Sequence, residues 1–256
     1  MHKRWRLDGQ TALITGASAG IGLAAARELA ALGADGKADG EPRLLSRGID
    51  GDVPGKPFGD ESDYVFAPDG RSLVFSVRIA GKSEPWSTNF DLYQVAVDGE
   101  AAPRNLTDAN DATDTNPVFS ADGRSIYFVS DRGGAPQIYR VAASGGSAER
   151  VTFTGSYNIS PAISPDGRWL AYITRSGGGS FKLQVMELAT GTVTSLTDTT
   201  ADESPSFSPN GKLIVYATRQ GGREALMTTT LDGKIKARLA GQGGDIREPD
   251  WGPFGR

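Results

Sequence analysis

The chain of 256 residues contains no cysteine and a single histidine, His2. The first absence excludes disulfides, a thiol nucleophile and thiolate metal sites. The second excludes catalysis that needs an imidazole inside the fold, because His2 sits at a terminus. No run of 18 apolar residues occurs, so no helical membrane span is expected. The 27 basic residues are outnumbered by 31 acidic ones and form no block, which argues against a nucleic-acid partner. Lys3, Arg4 and Arg6 precede a smooth apolar stretch over 11–26. Asp8 and the glycines there depart from a secretory signal, so the chain reads as cytoplasmic if expressed as given.

Glycine, by contrast, is abundant, at 34 residues. Some belong to residues 1–35, which read as a strand (Thr11–Thr15), a glycine-rich turn and a helix (Gly20–Leu32) stopped by Gly33. Residues 36–61 are crowded with glycine and proline, with Leu44, Leu45, Ile49 and Val53 as apolar anchors. They read as a linker or an irregular lead-in able to complement the segment that follows.

From residue 62 onward the pattern becomes β. The runs Ser72–Val77, Ser125–Ser130, Trp169–Thr174 and Leu213–Thr218 each follow an Asp-Gly or Asn-Gly dipeptide. Such dipeptides supply the positive φ of a tight hairpin at low cost. Further strands are expected at Leu92–Val97, Gln137–Val141, Lys182–Leu188 and Ala225–Thr230. Pro117, Pro161, Pro205 and Pro249 are spaced by 44 residues and head the segments NPVFSADG, SPAISPDG, SPSFSPNG and EPDWGPFG. An earlier copy, DYVFAPDG, stands 53 residues before the first, with extra residues near Gly81–Asn89. Copies of about 44 residues carrying four short strands predict a mainly β fold, a β-propeller of about four blades built of four-stranded antiparallel sheets. Most glycines are then turn chemistry.

The stretches RVTFTGSYNISPAISPDGRWLAYI, LTDTTADESPSFSPNGKLIVYATR, LMTTTLDGKIKARL and REPDWGPF resemble the TolB-type β-propeller family over Glu149–Phe254. Residues 44–100 look more like the propeller of a prolyl-oligopeptidase-class peptidase. Residues 5–35 resemble the start of a short-chain dehydrogenase/reductase, with Gly16, Ser18, Gly20 and Gly22 in the phosphate-loop pattern. The chain thus reads as composite: a dehydrogenase-like fragment (1–35), a lead-in (36–61) and propeller repeats (62–256).

In a complete dinucleotide fold, Gly16, Gly20 and Gly22 would let backbone approach a pyrophosphate, and Ser18 would add a hydroxyl. The second hydrophobic strand that such a fold needs is replaced by DGKADGEPRLL. No tyrosine is followed four residues on by the lysine that the resemblance implies. The same loop spells G-x-S-x-G, but no histidine is available as its base. No cofactor and no metal are expected, and no catalytic residue is assigned.

Polar residues recur ahead of each repeat proline: Asp114, Asn158 and Asp202 lie 44 apart, with Ile246 at the fourth position beside Asp245. They could meet a cation or a basic peptide at a channel mouth, satisfy backbone amides in turns, or be plain surface polarity. Arg132, Arg175 and Arg219 follow second strands, with Asp131 and Glu203 as candidate ion-pair partners. Trp169 and Trp251 read as packing residues. Trp86 and Phe90 stand in the inserted loop, either as partner anchors or folded back over strand edges.

The leading reading is a noncatalytic propeller that binds a protein or peptide through Asp114, Asn116, Asn158, Ser160, Asp202, Glu203 and Glu248. The resemblance implies a periplasmic setting and a peptidoglycan-associated lipoprotein as partner. Two alternatives are a nicotinamide-dependent oxidoreductase fragment and an inert scaffold. Unclosed blade edges would favour self-association.

Overall fold

The S-x-D-G pattern folds itself locally. Ser120 Oγ donates to Asp122 Oδ1 at 2.6 Å, and that oxygen accepts the Arg124 N–H at 3.1 Å. The Ser125 N–H closes the loop on Ser120 Oγ at 2.9 Å. The same three bonds recur around Ser164/Asp166, Ser208/Asn210 and Thr230/Asp232. Gly123 and Gly167 sit at φ 70°, a conformation open to glycine without a Cβ penalty. The hydroxyl donors and backbone N–H groups hold the Asp122, Asp166 and Asp232 carboxyls below the usual aspartate value.

A computed structural model describes residues 45–53, 63–79, 87–175, 177–239 and 248–251. The expected strand, glycine loop and helix of residues 1–35 lie outside them, as do Trp86, Asp245 and Ile246. The described residues form four antiparallel sheets with a meander order. The first contains β1 (Gly51–Asp52), β2 (Tyr64–Phe66), β3 (Ser72–Ile79), β4 (Phe90–Ala96) and β5 (Arg104–Asn105). The second contains β6 (Asp114–Phe119), β7 (Ser125–Ser130), β8 (Gln137–Ala142) and β9 (Glu149–Arg150). The third is built from β10 (Asn158–Ile163), β11 (Trp169–Arg175), β12 (Phe181–Glu187) and β13 (Val193–Ser195). The fourth is built from β14 (Glu203–Phe207), β15 (Leu213–Gln220), β16 (Arg223–Thr230) and β17 (Lys236–Arg238).

The strands stand where the repeat places them, and the sheets pack face to face in chain order. Leu92, Val74 and Leu106 meet Phe119, Ile126 and Phe128 between the first and second sheets. Tyr127 and Ile138 meet Leu170, Tyr172 and Met186 between the second and third. Ile173, Leu183 and Leu196 meet Phe207, Ile214 and Tyr216 between the third and fourth. Central strands such as β7 and β11 are therefore buried on both faces, which explains their unbroken apolar runs.

One correction concerns the first sheet, which has five strands and not four. Both β1 and β2 pair with β3, β1 opposite Arg78 and Ile79 and β2 opposite Leu73–Phe75. A Cβ on Gly51 would come within 2.6 Å of the Arg78 carbonyl oxygen, so this approach needs glycine. Asp52 then ion-pairs with Arg78. Leu45, Ile49 and Val53 pack on Leu73, Phe75, Val77 and Val95, so this part of the lead-in does complement the first sheet.

Candidate functional site

The first strands of the second, third and fourth sheets each carry an interruption. The β6–β7 register shifts between Thr115 and Val118, β10–β11 between Ile159 and Ala162, and β14–β15 between Glu203 and Ser206. At each shift one residue is left-handed: Asn116 at φ 52°, Ser160 at 52° and Ser204 at 48°. Glu248 repeats the feature at 50°. These four are the described non-glycine residues with positive φ, they are spaced by 44, and each precedes a proline. A side chain in this region costs free energy, and a residue before proline is ordinarily extended. A bulge of this kind re-aims its side chain out of the pleat.

The four kinks converge on one cavity of about 670 Å³. Asn116–Pro117, Ser160–Pro161, Ser204–Pro205 and Glu248–Pro249 line it, together with Tyr64, Val65 and Phe66 of β2. Glu248 and Asp250 are the charged residues among its lining, so one sector is acidic while the β2 sector is apolar. Ser206 Oγ donates to Asp250 Oδ1 at 2.6 Å, which ties residues 248–251 to β14.

The sequence-derived set divides in two. Asn116, Ser160 and Glu248 come together around the cavity. Ser204 completes their ring and was missed, although its 44-residue offset from Ser160 was available in the sequence; Glu203, chosen there, is exposed at the start of β14 and off the lining. Asp114, Asn158 and Asp202 are buried, at 0%, 0% and 2% exposure. Asp202 Oδ2 accepts the Leu183 N–H at 3.1 Å and the Thr197 hydroxyl. Its Oδ1 accepts the Thr199 and Thr218 hydroxyls at 2.5 and 2.6 Å. Asn158 Nδ2 donates to Gln137 Oε1 at 2.7 Å and to the Thr154 carbonyl at 2.9 Å. Asp114 Oδ2 accepts from Arg132 at 2.8 Å. Asn158 and Asp202 thus bond to the sheet before them, whereas Asp114 pairs with Arg132 of its own sheet.

Of the arginines, Arg132 is thus paired with Asp114, Arg219 lies 3.9 Å from Glu224, and Arg175 is exposed. Trp169 packs against the layer between the third and fourth sheets, and Phe90 lies in β4, half-buried and bridged to Thr113. The residues 16–22 of the glycine loop lie outside the described part. Among the described residues, no group of acidic or histidine side chains is arranged to hold a metal.

The TolB beta propeller domain model matches residues 58–255 without a break. That span takes in most of the segment read as closer to prolyl-oligopeptidase propellers. A 34-residue stretch is 91% identical to the Tol-Pal system protein TolB of a Polaromonas species, covering 13% of this chain and 8% of that protein. A 57-residue stretch is 46% identical to the Bordetella pertussis protein of the same name, covering 22% and 13%. The crystal structure of TolB from Acinetobacter baumannii superposes with a TM-score of 0.65 at 38% identity, over 75% of this chain and 46% of that one. A puromycin-hydrolyzing peptidase from Mycobacterium tuberculosis shares the fold, with a TM-score of 0.55 at 20% identity, over 68% and 28%. The chain therefore spans less than half the length of these relatives.

Proposed function

The chain belongs to the TolB β-propeller family, and from that premise we propose that it binds a protein partner at the kinked ring without catalysing a reaction. The observation that carries this reading is the convergence of Asn116, Ser160, Ser204 and Glu248, all left-handed, on a single cavity. Backbone strain repeated at one place in each repeat is costly and is retained where a side chain must be held in an unusual direction. Glu203, exposed one residue before Ser204, extends the contact surface.

The partner is a periplasmic lipoprotein of the peptidoglycan-associated type, in keeping with the Tol-Pal system to which the named relatives belong. Asp114, Asn158 and Asp202 serve this surface from beneath by fixing the strands that carry it. The sheets are blades of a propeller, and the cavity is its channel. The β2 sector offers Tyr64 and Phe66 for an apolar anchor, while Glu248 and Asp250 favour a cationic group beside it.

Calorimetric titration with the soluble domain of such a lipoprotein tests the proposal. Binding is expected, and Glu248→Lys and Asn116→Ala should each weaken it about tenfold or more while leaving the circular dichroism spectrum unchanged. A folded sample that binds nothing, or variants that bind as well as the parent, would overturn it.

A further inference from the structure

A buried polar device recurs at each junction between sheets. A threonine just after the fourth strand accepts the N–H of a third-strand residue. Thr107 takes Leu92 at 3.0 Å, Thr152 takes Ile138 at 2.9 Å and Thr197 takes Leu183 at 3.1 Å. Two further positions complete it: the residue before that N–H (Asp91, Gln137, Lys182) and the repeat-equivalent residue at or just before the start of the next sheet (Asp114, Asn158, Asp202). Between the second and third sheets the pair is two amides, with Gln137 Oε1 accepting from Asn158 Nδ2 at 2.7 Å. Between the third and fourth it combines a lysine and an aspartate. Between the first and second it is two carboxylic acids.

These two acids are buried, Asp91 at 5% exposure and Asp114 at 0%. Phe90 bridges Thr113 in parallel, which puts the next residues of both strands, Asp91 and Asp114, on one side of the junction. Asp114 Oδ2 is spent on Arg132, but its Oδ1 is buried without a hydrogen-bond partner. Asp91 Oδ2 accepts Asn105 Nδ2 at 2.7 Å, whereas its Oδ1 has only the Thr107 hydroxyl at 3.5 Å. Asp114 has Arg132 as its cation, while Asp91 forms no ion pair among the described residues, so two buried carboxylates leave a charge without compensation, and an orphaned buried acceptor is costly.

We propose that Asp91 and Asp114 share one proton, Asp91 donating its carboxyl hydrogen to Asp114 Oδ1, and that this proton fastens the first sheet to the second. Arg132 occupies Asp114 Oδ2, and Asp91, which has no such cation among the described residues, carries the proton. One proton satisfies the orphaned oxygen and removes the excess charge together; at the next junction the direction is reversed, with the Asn158 amide donating to Gln137 Oε1. The surroundings agree: burial pushes the Asp91 carboxyl up, and the charges of Asp114 and Asp108 add to this against the opposing bonds from Asn105 and Thr107. Tyr93, on the same strand, is also held above its usual value by burial. The other nearby charges are engaged elsewhere, Arg78 with Asp52 and Asp131 with the Thr113 N–H. Because β6 runs from Asp114 to the kink at Asn116, loss of the proton loosens the strand that places Asn116 on the cavity.

A group whose acid form is favoured by folding contributes stability below its free value, near pH 3.9, and loses it as pH rises through the folded value. NMR titration of the aspartate carboxyl carbons of the whole chain reads this directly. Asp91 is expected to titrate above the usual aspartate range, and Asp114→Asn should shift its titration downward. Asp91→Asn, which donates from an amide at any pH, should raise Tm by about 2–4 °C at pH 7, with the gain fading toward pH 4. Titration of Asp91 within or below the usual aspartate range would overturn the proposal, as would an Asp91→Asn variant that melts lower at every pH. Should that variant fail to fold, the titration of the parent protein decides.

Discussion

Arg132 Nη2 donates to Asp114 Oδ2 at 2.8 Å while its guanidinium lies over Phe128 and Tyr139, with Cζ 5.3 and 5.0 Å from their ring centroids. Its Nε also donates to Ser130 Oγ at 2.9 Å. The carboxylate is fully buried, and among the described residues the cation paired with it is this arginine. Arg132→Leu should therefore destabilise the chain by about 3–5 kcal/mol, the cost of leaving one member of a buried pair alone. Arg219, which reaches Glu224 only at 3.9 Å and is largely exposed, serves as the control. Arg219→Ala should change stability by no more than about 0.5 kcal/mol. Urea unfolding of both variants checks the contrast.

Ser204 adopts φ 48° without the licence that glycine has. Ser204→Gly should be neutral or stabilising by up to about 1 kcal/mol, as relieved strain offsets the added freedom of the unfolded chain. Ser204→Val should cost about 1–2 kcal/mol, because a β-branched residue is least tolerant of the left-handed region. Thermal melts of the pair measure the difference. If binding at the ring depends on the side chain that the kink aims, the glycine variant retains the fold and loses affinity.

Tyr172 is fully buried between the second and third sheets, and its hydroxyl has no hydrogen-bond partner. Burial pushes its ionisation up to about 12. Its neutral form therefore contributes stability that is present below pH 10 and is lost as pH rises from 10 through about 12. Tyr172→Phe should gain about 1 kcal/mol at neutral pH by removing an unsatisfied hydroxyl. It should also lose less stability than the parent across the alkaline range. Tyr216, shifted to about 12 in the same way, keeps that loss from vanishing. Unfolding curves at pH 8 and pH 11 separate the two effects.

The sheets were legible because a hairpin is decided within a few residues. Ser120, Asp122 and Gly123 close their own turn, and copies of that signal at a fixed spacing announce copies of the same meander. The site was legible only in part. The offset of 44 marked Asn116, Ser160 and Glu248, and a stricter use of it would have found Ser204. Asp114, Asn158 and Asp202 looked like rim residues because they are polar and periodic. Their burial depends on the next sheet arriving against them, and composition holds no trace of that. The added strand of the first sheet was legible only as an irregular lead-in able to complement it, since the two residues Gly51 and Asp52 carry no strand pattern.

The missing cysteine, the lone His2 and the repeat spacing by themselves determined a β-rich chain with no thiol and a single imidazole. These are local or countable properties, and a turn or a strand follows from neighbours along the chain. Tertiary structure alone decided which polar residues face the cavity and which face one another. That choice rests on the left-handed kink in each first strand, which turns Asn116 and its equivalents outward. It rests equally on sheet-to-sheet packing, which removes Asp91 and Asp114 from water and leaves a proton to reconcile them.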